Sequence, residues 1–377
     1  MYKSHERALE ALTRRGRLRA LAPAAGLDFS SNDYLALGRS SELRDAARSA
    51  VARDVSIGSG GSRLLRGNDR EHEALEAEAA AFFGAECALF FGGGFLANLA
   101  IFSTLPQRGD LVVYDELIHA SVHDGMRLGK ADSVPARHND AQAVEDAITY
   151  WRGNGGTGTP WIAVESLYSM DGDAAPLNDL IAIADRHSGV LVIDEAHATG
   201  VMGRMGRGLG ADLEGRENVV ALHTCGKALG AMGALVTGPK ILCDYIINRS
   251  RPFIYATAPS PLITSVVRAS LLVSRFGDAR RDKLAALVAF AGTRLRERCG
   301  LPVSGTHIQP VIVGSDERAT RLAAAMQQRG FDIRAVRPPT VPEGTARLRL
   351  MLTLNVDEAQ VAAVIDALAE ELERLQP

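Results

Sequence analysis

From Glu86 onward, short unbroken apolar runs alternate with stretches whose apolar residues recur at helical spacing. The runs are Cys87–Phe91, Leu111–Tyr114, Trp161–Glu165, Val190–Asp194, Val219–Thr224 and Ala234–Thr237. Runs this short and this apolar read as strands buried on both faces. The segments up to Leu105, from Ala141 to Trp151 and from Leu177 to His187 read as helices. Strands alternating with helices predict an α/β protein with a mostly parallel, doubly wound sheet.

The pattern differs at both ends. Ser4–Leu21 is basic and helical in spacing, and Leu27–Leu35 is a short strand breaking into a polar turn. Ser41–Arg53 reads as a helix with Ser41 as N-cap, and His72–Phe83 as a helix stopped by Gly84. After about Ser260 comes one long helical stretch, Leu262–Cys299. Ile308–Val313, a helix Arg318–Arg329, Ile333–Val336, Leu348–Leu354 and a last helix Asp357–Leu375 follow. The expected organisation is an N-terminal segment over 1–40, a large domain over 41–270 and a smaller α+β domain over 271–377.

Composition narrows the function classes. The net charge of -3 gives no general attraction to nucleic acid or to acidic membranes. Cys87, Cys225, Cys243 and Cys299 are far apart in sequence and form no C-x-x-C pair. Disulfides and a zinc site are therefore not expected, and a reducing compartment, the cytoplasm, is. No uncharged run is long enough to span a bilayer, and the first residues contain no apolar signal core.

In an open parallel sheet, ligands bind at the carboxyl ends of the strands. Two such ends carry chemistry here: Asp194-Glu-Ala-His197 after Val190–Ile193, and Thr224-Cys-Gly-Lys227 after Val219–His223. The first imitates a nucleotide-hydrolysis box, but the required upstream G-x-x-x-x-G-K-[ST] loop is missing. Gly92-x-Gly94-x-x-Ala97 imitates a dinucleotide fingerprint with Asp115 as its acid, a reading that leaves Lys227 without a task. His119, His123 and His197 lack the carboxylate or cysteine spacing of a metal site, and no metal is expected. A partly buried lysine becomes a nucleophilic amine able to form a Schiff base. A buried carboxylate needs a cationic partner. Pyridoxal phosphate chemistry pairs these two elements, with the acid on the ring nitrogen. Its phosphate is held by backbone N–H groups at a helix start, which Gly93-Gly-Phe95 offers.

Nearly the whole chain resembles the α-oxoamine synthases, pyridoxal phosphate enzymes of the aspartate aminotransferase fold (fold type I). The resemblance rests on Ser31-Asn-Asp-Tyr-Leu35, Gly58-Ser-Gly-Gly61, Gly94-Phe-Leu-Ala-Asn98, His119-Ala-Ser121, Glu165-Ser-Leu-Tyr-Ser-Met-Asp-Gly-Asp173 and the two strand-end motifs. Pro338-Pro-Thr-Val-Pro342 and Arg347-Leu-Arg349 complete it. It implies that Lys227 holds pyridoxal 5'-phosphate and moves the substrate α-proton, and that Asp194 pairs with the ring nitrogen. His119 would stack on the ring, and His197 and Ser169 would bond its phenolic oxygen. Thr224 and the backbone of Gly94 and Phe95 would hold the phosphate, joined by Thr257 from the second subunit of a homodimer. Arg349 would clamp the amino-acid carboxylate, and Arg19 and Thr340 match positions near an acyl chain. The reaction the resemblance implies is a decarboxylative condensation of an amino acid with an acyl thioester. The short length and the Pro338–Arg349 segment favour L-alanine with a pimeloyl thioester. Glycine with succinyl- or acetyl-CoA and serine with a long acyl thioester are the alternatives that share these residues. No catalytic role falls to Glu195.

Overall fold

The computed structural model describes residues 1–375. Its strands, in chain order, are β1 (Leu27–Asp28), β2 (Cys87–Phe91), β3 (Leu111–Asp115), β4 (Asp132–Ala136), β5 (Pro160–Glu165) and β6 (Val190–Asp194). They continue with β7 (Val219–Thr224), β8 (Ala234–Gly238), β9 (Ile308–Gly314), β10 (Phe331–Asp332), β11 (Ala335–Val336) and β12 (Ala346–Met351). The chain forms two compact units. One comprises Leu35–Ser169 and Ala174–Arg281; the other comprises Met1–Tyr34, Met170–Asp173 and Asp282–Pro377.

The first of these units holds a seven-stranded sheet in the order β2-β8-β7-β6-β5-β3-β4. Neighbours from β7 to β4 pair parallel, and only β8 runs against both its partners. The apolar runs are buried as their composition requires: every residue of β5 and β7 is buried, as are the last four of β6. One face packs Val192, Val220, Leu222 and Ile101 into a core, and the other packs Leu191, Ile193, Ile162 and Leu180. Burying a side chain of this size contributes about 1.5–3 kcal/mol. Leu191 is fully buried, and its truncation leaves a hole between sheet and helix. The variant Leu191→Ala should lose about 2–5 kcal/mol of stability in a urea titration, with the m-value unchanged.

The helix Arg70–Phe83 shows how local chemistry ends an element. Asp69 caps its start by accepting from Glu71, and Gly84 ends it at φ 78°, a left-handed conformation costly for residues with a Cβ. The preceding helix, Ser41–Ala52, is capped by Ser40, whose hydroxyl accepts from the Leu43 N–H, so the cap lies one residue before the expected Ser41.

The second unit contains the antiparallel sheet β11-β12-β9 and a two-residue parallel pairing of β1 with β10. This pairing explains a difference from the expected organisation. The N-terminal segment is not a separate piece: Leu27 and Asp28 are hydrogen-bonded beside Phe331 and Asp332, and Phe29 packs edge-on against Phe331. The divisions fall after Tyr34 and Arg281, where the expected boundaries were 40 and 270. The long helical stretch also divides, into Pro261–Arg275 and Asp278–Cys299, broken at Phe276-Gly277. Among the described residues, no helix is long and apolar enough to cross a membrane.

Candidate active site

Strands β2, β3, β5, β6 and β7 end on the same edge of the sheet, and their carboxyl ends surround a cavity of about 180 Å³. Gly94, Phe95, His119, Asp194, His197, Thr224 and Lys227 all line it. These seven residues were singled out in the sequence, and four separate strand ends, those of β2, β3, β6 and β7, deliver them.

Lys227 follows β7 and is half-buried, and its Nζ lies 2.7 Å from His197 Nε2. Asp194 closes β6 and is 6% exposed. Its Oδ1 accepts from the Ala196 N–H at 3.0 Å and its Oδ2 from Asn98 Nδ2 at 2.8 Å. Asn98 Nδ2 also lies 3.0 Å from Ser121 Oγ, which is 2.7 Å from His119 Nδ1. The Ser121 N–H donates to that same Nδ1 at 3.2 Å. A nitrogen that accepts from a backbone N–H carries no proton, so the His119 proton sits on Nε2. Desolvation at the cavity holds the His119 imidazole below its usual range, against the opposing pull of Asp194. A chain of hydrogen bonds thus runs from Asp194 through Asn98 and Ser121 to His119.

The helix Gly94–Thr104 opens at this cavity with Gly93 as its N-cap and no side chain capping it. Its first N–H groups have no partner within the helix, and with the helix dipole they suit an anion. Thr224 Oγ1 stands beside them, 3.7 Å from where a Cβ on Gly94 would sit. A carboxylate, an amine, an imidazole pair and an anion-holding helix start occupy a single cavity. That donor set fits pyridoxal phosphate, whose aldehyde, ring nitrogen and phosphate call for those groups.

Other expected residues lie outside the cavity lining. Ser169 is buried four residues beyond β5, and its N–H donates to Glu165 at 3.1 Å. Thr257 is exposed and bridges to Ser62. Arg19, Thr340 and Arg349 belong to the other compact unit. There Arg19 and Thr340 are exposed, and Arg349, on β12, donates to Asn32 Oδ1 at 3.1 Å. His123 stacks edge-on against Tyr114 and does not line the cavity. Among the described residues, no three His, Cys, Asp or Glu side chains form a metal-holding group.

The cavity also holds three polar side chains to which the sequence reading gave no role: Asn98, Ser121 and Glu165. Glu165 had a legible signal, because it ends β5 as Asp194 ends β6. Asn98 and Ser121 stood in the motifs Gly94–Asn98 and His119–Ser121 without a role, since their hydrogen bonds are to neighbours distant in sequence.

A profile of the family described as aminotransferase class I and II matches residues 24–368. The chain is 42% identical over 349 residues to the 8-amino-7-oxononanoate synthase of Chromobacterium violaceum, covering 92% of this chain and 89% of that one. It is 40% identical to the enzyme of the same name from Anaeromyxobacter dehalogenans, covering 98% and 95%. Among solved structures, the serine palmitoyltransferase of S. paucimobilis superposes with a TM-score of 0.90 at 23% identity, over 99% of this chain and 98% of that one, which bears on the fold alone. An 8-amino-7-oxononanoate synthase from Francisella tularensis superposes with a TM-score of 0.78 at 27% identity, over 93% and 98%. A profile match over most of the chain and relatives near 40% identity over nine-tenths of it establish that this chain belongs to the class I and II aminotransferase family, among the 8-amino-7-oxononanoate synthases.

Proposed function

We propose that the protein condenses L-alanine with a pimeloyl thioester, releasing carbon dioxide and the thiol and forming 8-amino-7-oxononanoate, a step of biotin synthesis. The observation that carries this reading is the approach of Lys227 Nζ to His197 Nε2 at 2.7 Å in the cavity that Asp194 also lines. Bound pyridoxal phosphate supplies an aldehyde that takes up amines and a protonated ring that draws electrons from the amino acid's α-carbon.

The chain's own residues do the rest. With the cofactor bound, the Lys227 amine would hold it through its aldehyde carbon and would move the substrate α-proton at Nζ. The Asp194 carboxylate, fixed by two donors, would face the ring nitrogen and keep it protonated. Thr224 and the Gly94 and Phe95 N–H groups would hold the phosphate. His119 would pack on the ring and offer Nε2–H to a carboxylate or carbonyl oxygen, while His197 and Ser169 would bond the ring's phenolic oxygen. Arg349 supplies a two-pronged fork to the substrate carboxylate, and Arg19 and Thr340 bind the acyl substrate. Burial of Asp194 and His197 lowers the local dielectric and strengthens each of these interactions.

The working form in this reading is a homodimer, with the partner subunit's Thr257 reaching the phosphate. Exposed apolar side chains beside the cavity and on the Thr257 loop support it: Phe95 is 48% exposed and Tyr255 is 71%. Light scattering should give twice the chain mass. A cytoplasmic location is supported by the cysteines, all four of which are free thiols.

The deciding experiment measures thiol and carbon dioxide release with pimeloyl-, succinyl-, acetyl- and palmitoyl-CoA, each against alanine, glycine and serine. The expected result is the highest kcat/KM for alanine with the pimeloyl thioester. Preference for glycine with succinyl-CoA overturns the assignment.

A further inference from the structure

Glu165 lines the cavity and has no task in the reaction described above. It is 2% exposed. It ends β5 in register with Asp194 at the end of β6, and residues paired this way on neighbouring strands project to the same side. Two carboxyl groups therefore stand side by side in one buried place, and both cannot readily be ionised there. Asp194 has two donors to stabilise its charge, Asn98 Nδ2 and the Ala196 N–H. Glu165 has one: Oε2 accepts from the Ser169 N–H at 3.1 Å, while Oε1 is buried without a partner. Of the two, Glu165 is the worse place for a negative charge. Since Oε2 is engaged as an acceptor, a proton on Glu165 belongs on Oε1, the atom that lacks a partner.

We propose that Glu165 is a positioning residue: as a neutral carboxylic acid it donates from Oε1 to an acceptor oxygen of the molecule bound against Asp194, and it leaves Asp194 as the anion that faces that molecule's ring nitrogen. This rests on the pyridoxal phosphate reading of the site. The acceptor class is an anionic oxygen, either the ring's phenolic oxygen or the carboxylate of the amino-acid substrate.

The electrostatic surroundings agree. Burial pushes the Glu165 carboxyl up to about 8, Asp194 and, more weakly, Asp115 push the same way, and Lys227 and the Ser169 N–H oppose them. The other ionisable groups at this spot are His197 and His119, which line the same cavity, and Tyr168, which feels Glu165 and Asp115. At pH 7 the acid carries its proton. Above about 8 it ionises, a second negative charge appears beside Asp194, and the donor is lost.

The sign of the stability effect follows. The unfolded chain ionises Glu165 near 4.5 and the folded chain near 8. Between those values the folded state holds the extra proton, so this group's contribution to stability falls as pH rises through the window. Below the window, where both states are protonated, no penalty exists.

Three measurements test the proposal on the whole protein. Infrared difference spectra of apoprotein labelled with 13C-glutamate should show a protonated carboxyl band at pH 7 that vanishes in Glu165→Gln. A wild type without that band overturns the proposal. In urea titrations, wild type should lose stability relative to Glu165→Gln between pH 5 and pH 8; parallel profiles overturn it. Pyridoxal phosphate titrations of the two variants come last. Glu165→Gln retains a donor and should bind within about twofold of wild type at pH 7, whereas Glu165→Ala should bind about tenfold more weakly, the worth of one net hydrogen bond. Equal losses in both variants overturn the donor role. A wild type that binds no pyridoxal phosphate at all refutes the cofactor reading instead, and the infrared result on apoprotein separates the two failures.

Discussion

Lys227→Ala should abolish turnover, with kcat reduced by at least about a thousandfold, while the protein remains folded. The size follows from what is lost: a nucleophilic amine and a proton carrier at one atom, the latter alone worth roughly 10²–10⁴ in rate. The fold should tolerate the change. Lys227 sits in the turn after β7, is only half-buried, and borders an existing cavity, so truncation opens no new hole in a packed core and should cost within about 1 kcal/mol. Two controls separate chemistry from charge. Lys227→Arg keeps the cation next to His197 but cannot serve as a nucleophile at neutral pH, and it should be as inactive as the alanine variant. Borohydride treatment of the wild type with pyridoxal phosphate should leave a mass increase on the peptide containing Lys227, and neither variant should gain it. Residual turnover in Lys227→Arg above that of Lys227→Ala would assign Lys227 an electrostatic role only.

The acids around β6 show how position decides the use of one chemical group. Glu195 follows Asp194 directly and is fully buried. Its carboxylate accepts from Ser166 Oγ at 2.5 Å, from the Leu209 N–H at 3.1 Å and from the Gly210 N–H. A Cβ on Gly208 would come within 2.5 Å of it, so the loop that wraps this carboxylate leaves no space for a side chain at that position. Glu195 ties the loop over residues 203–210 to the sheet, consistent with its lack of a catalytic assignment. Asp194 has two donors and opens onto the cavity, and Glu165 has one donor and an unpartnered oxygen. The number of donors each acid receives separates the structural anchor, Glu195, from the two acids that open onto the cavity.

The sheet was legible where burial on both faces demands continuous apolar runs: β2, β6 and β7 have the bounds read from the sequence. The edge strand β4 was not. Its residues, Asp132-Ser-Val-Pro-Ala136, are mostly exposed and include a proline tolerated only where a strand lacks a second neighbour. Its strand character comes from pairing with β3, which no local pattern announces. The pairing of β1 with β10 was hidden for a similar reason, because it joins two-residue strands from opposite ends of the chain. In the site, the cavity-lining residues Asp194, His197, Thr224 and Lys227 were legible through their type and place at strand ends. Asn98 and Ser121 were not, because an amide or a hydroxyl on a helix gains meaning only from what folding brings against it, here Asp194 and His119.

Asp194→Asn should reduce kcat/KM by roughly a hundredfold or more and weaken pyridoxal phosphate binding, the second large effect expected at this site. Two separate losses lie behind it. The amide carries no charge, so a protonated ring nitrogen would be left buried without its counter-ion, and breaking a buried pair in this way costs about 3–5 kcal/mol. The amide is also the wrong shape electronically. Asp194 accepts from two donors, the Ala196 N–H and Asn98 Nδ2, whereas asparagine has one acceptor oxygen and must point its NH2 at the other donor. This second loss exists without any cofactor, and it should lower apoprotein stability by about 1–3 kcal/mol. Asp194→Glu separates the two losses, since it keeps the charge and both acceptor oxygens but displaces them by a methylene. It should bind the cofactor better than Asp194→Asn while remaining slow, because the carboxylate no longer meets the ring nitrogen, Asn98 and Ala196 together. Equal cofactor affinity in the wild type and Asp194→Asn would show that the ring nitrogen draws no charge from Asp194, and the assignment of this residue would have to move to its neighbour in register, Glu165.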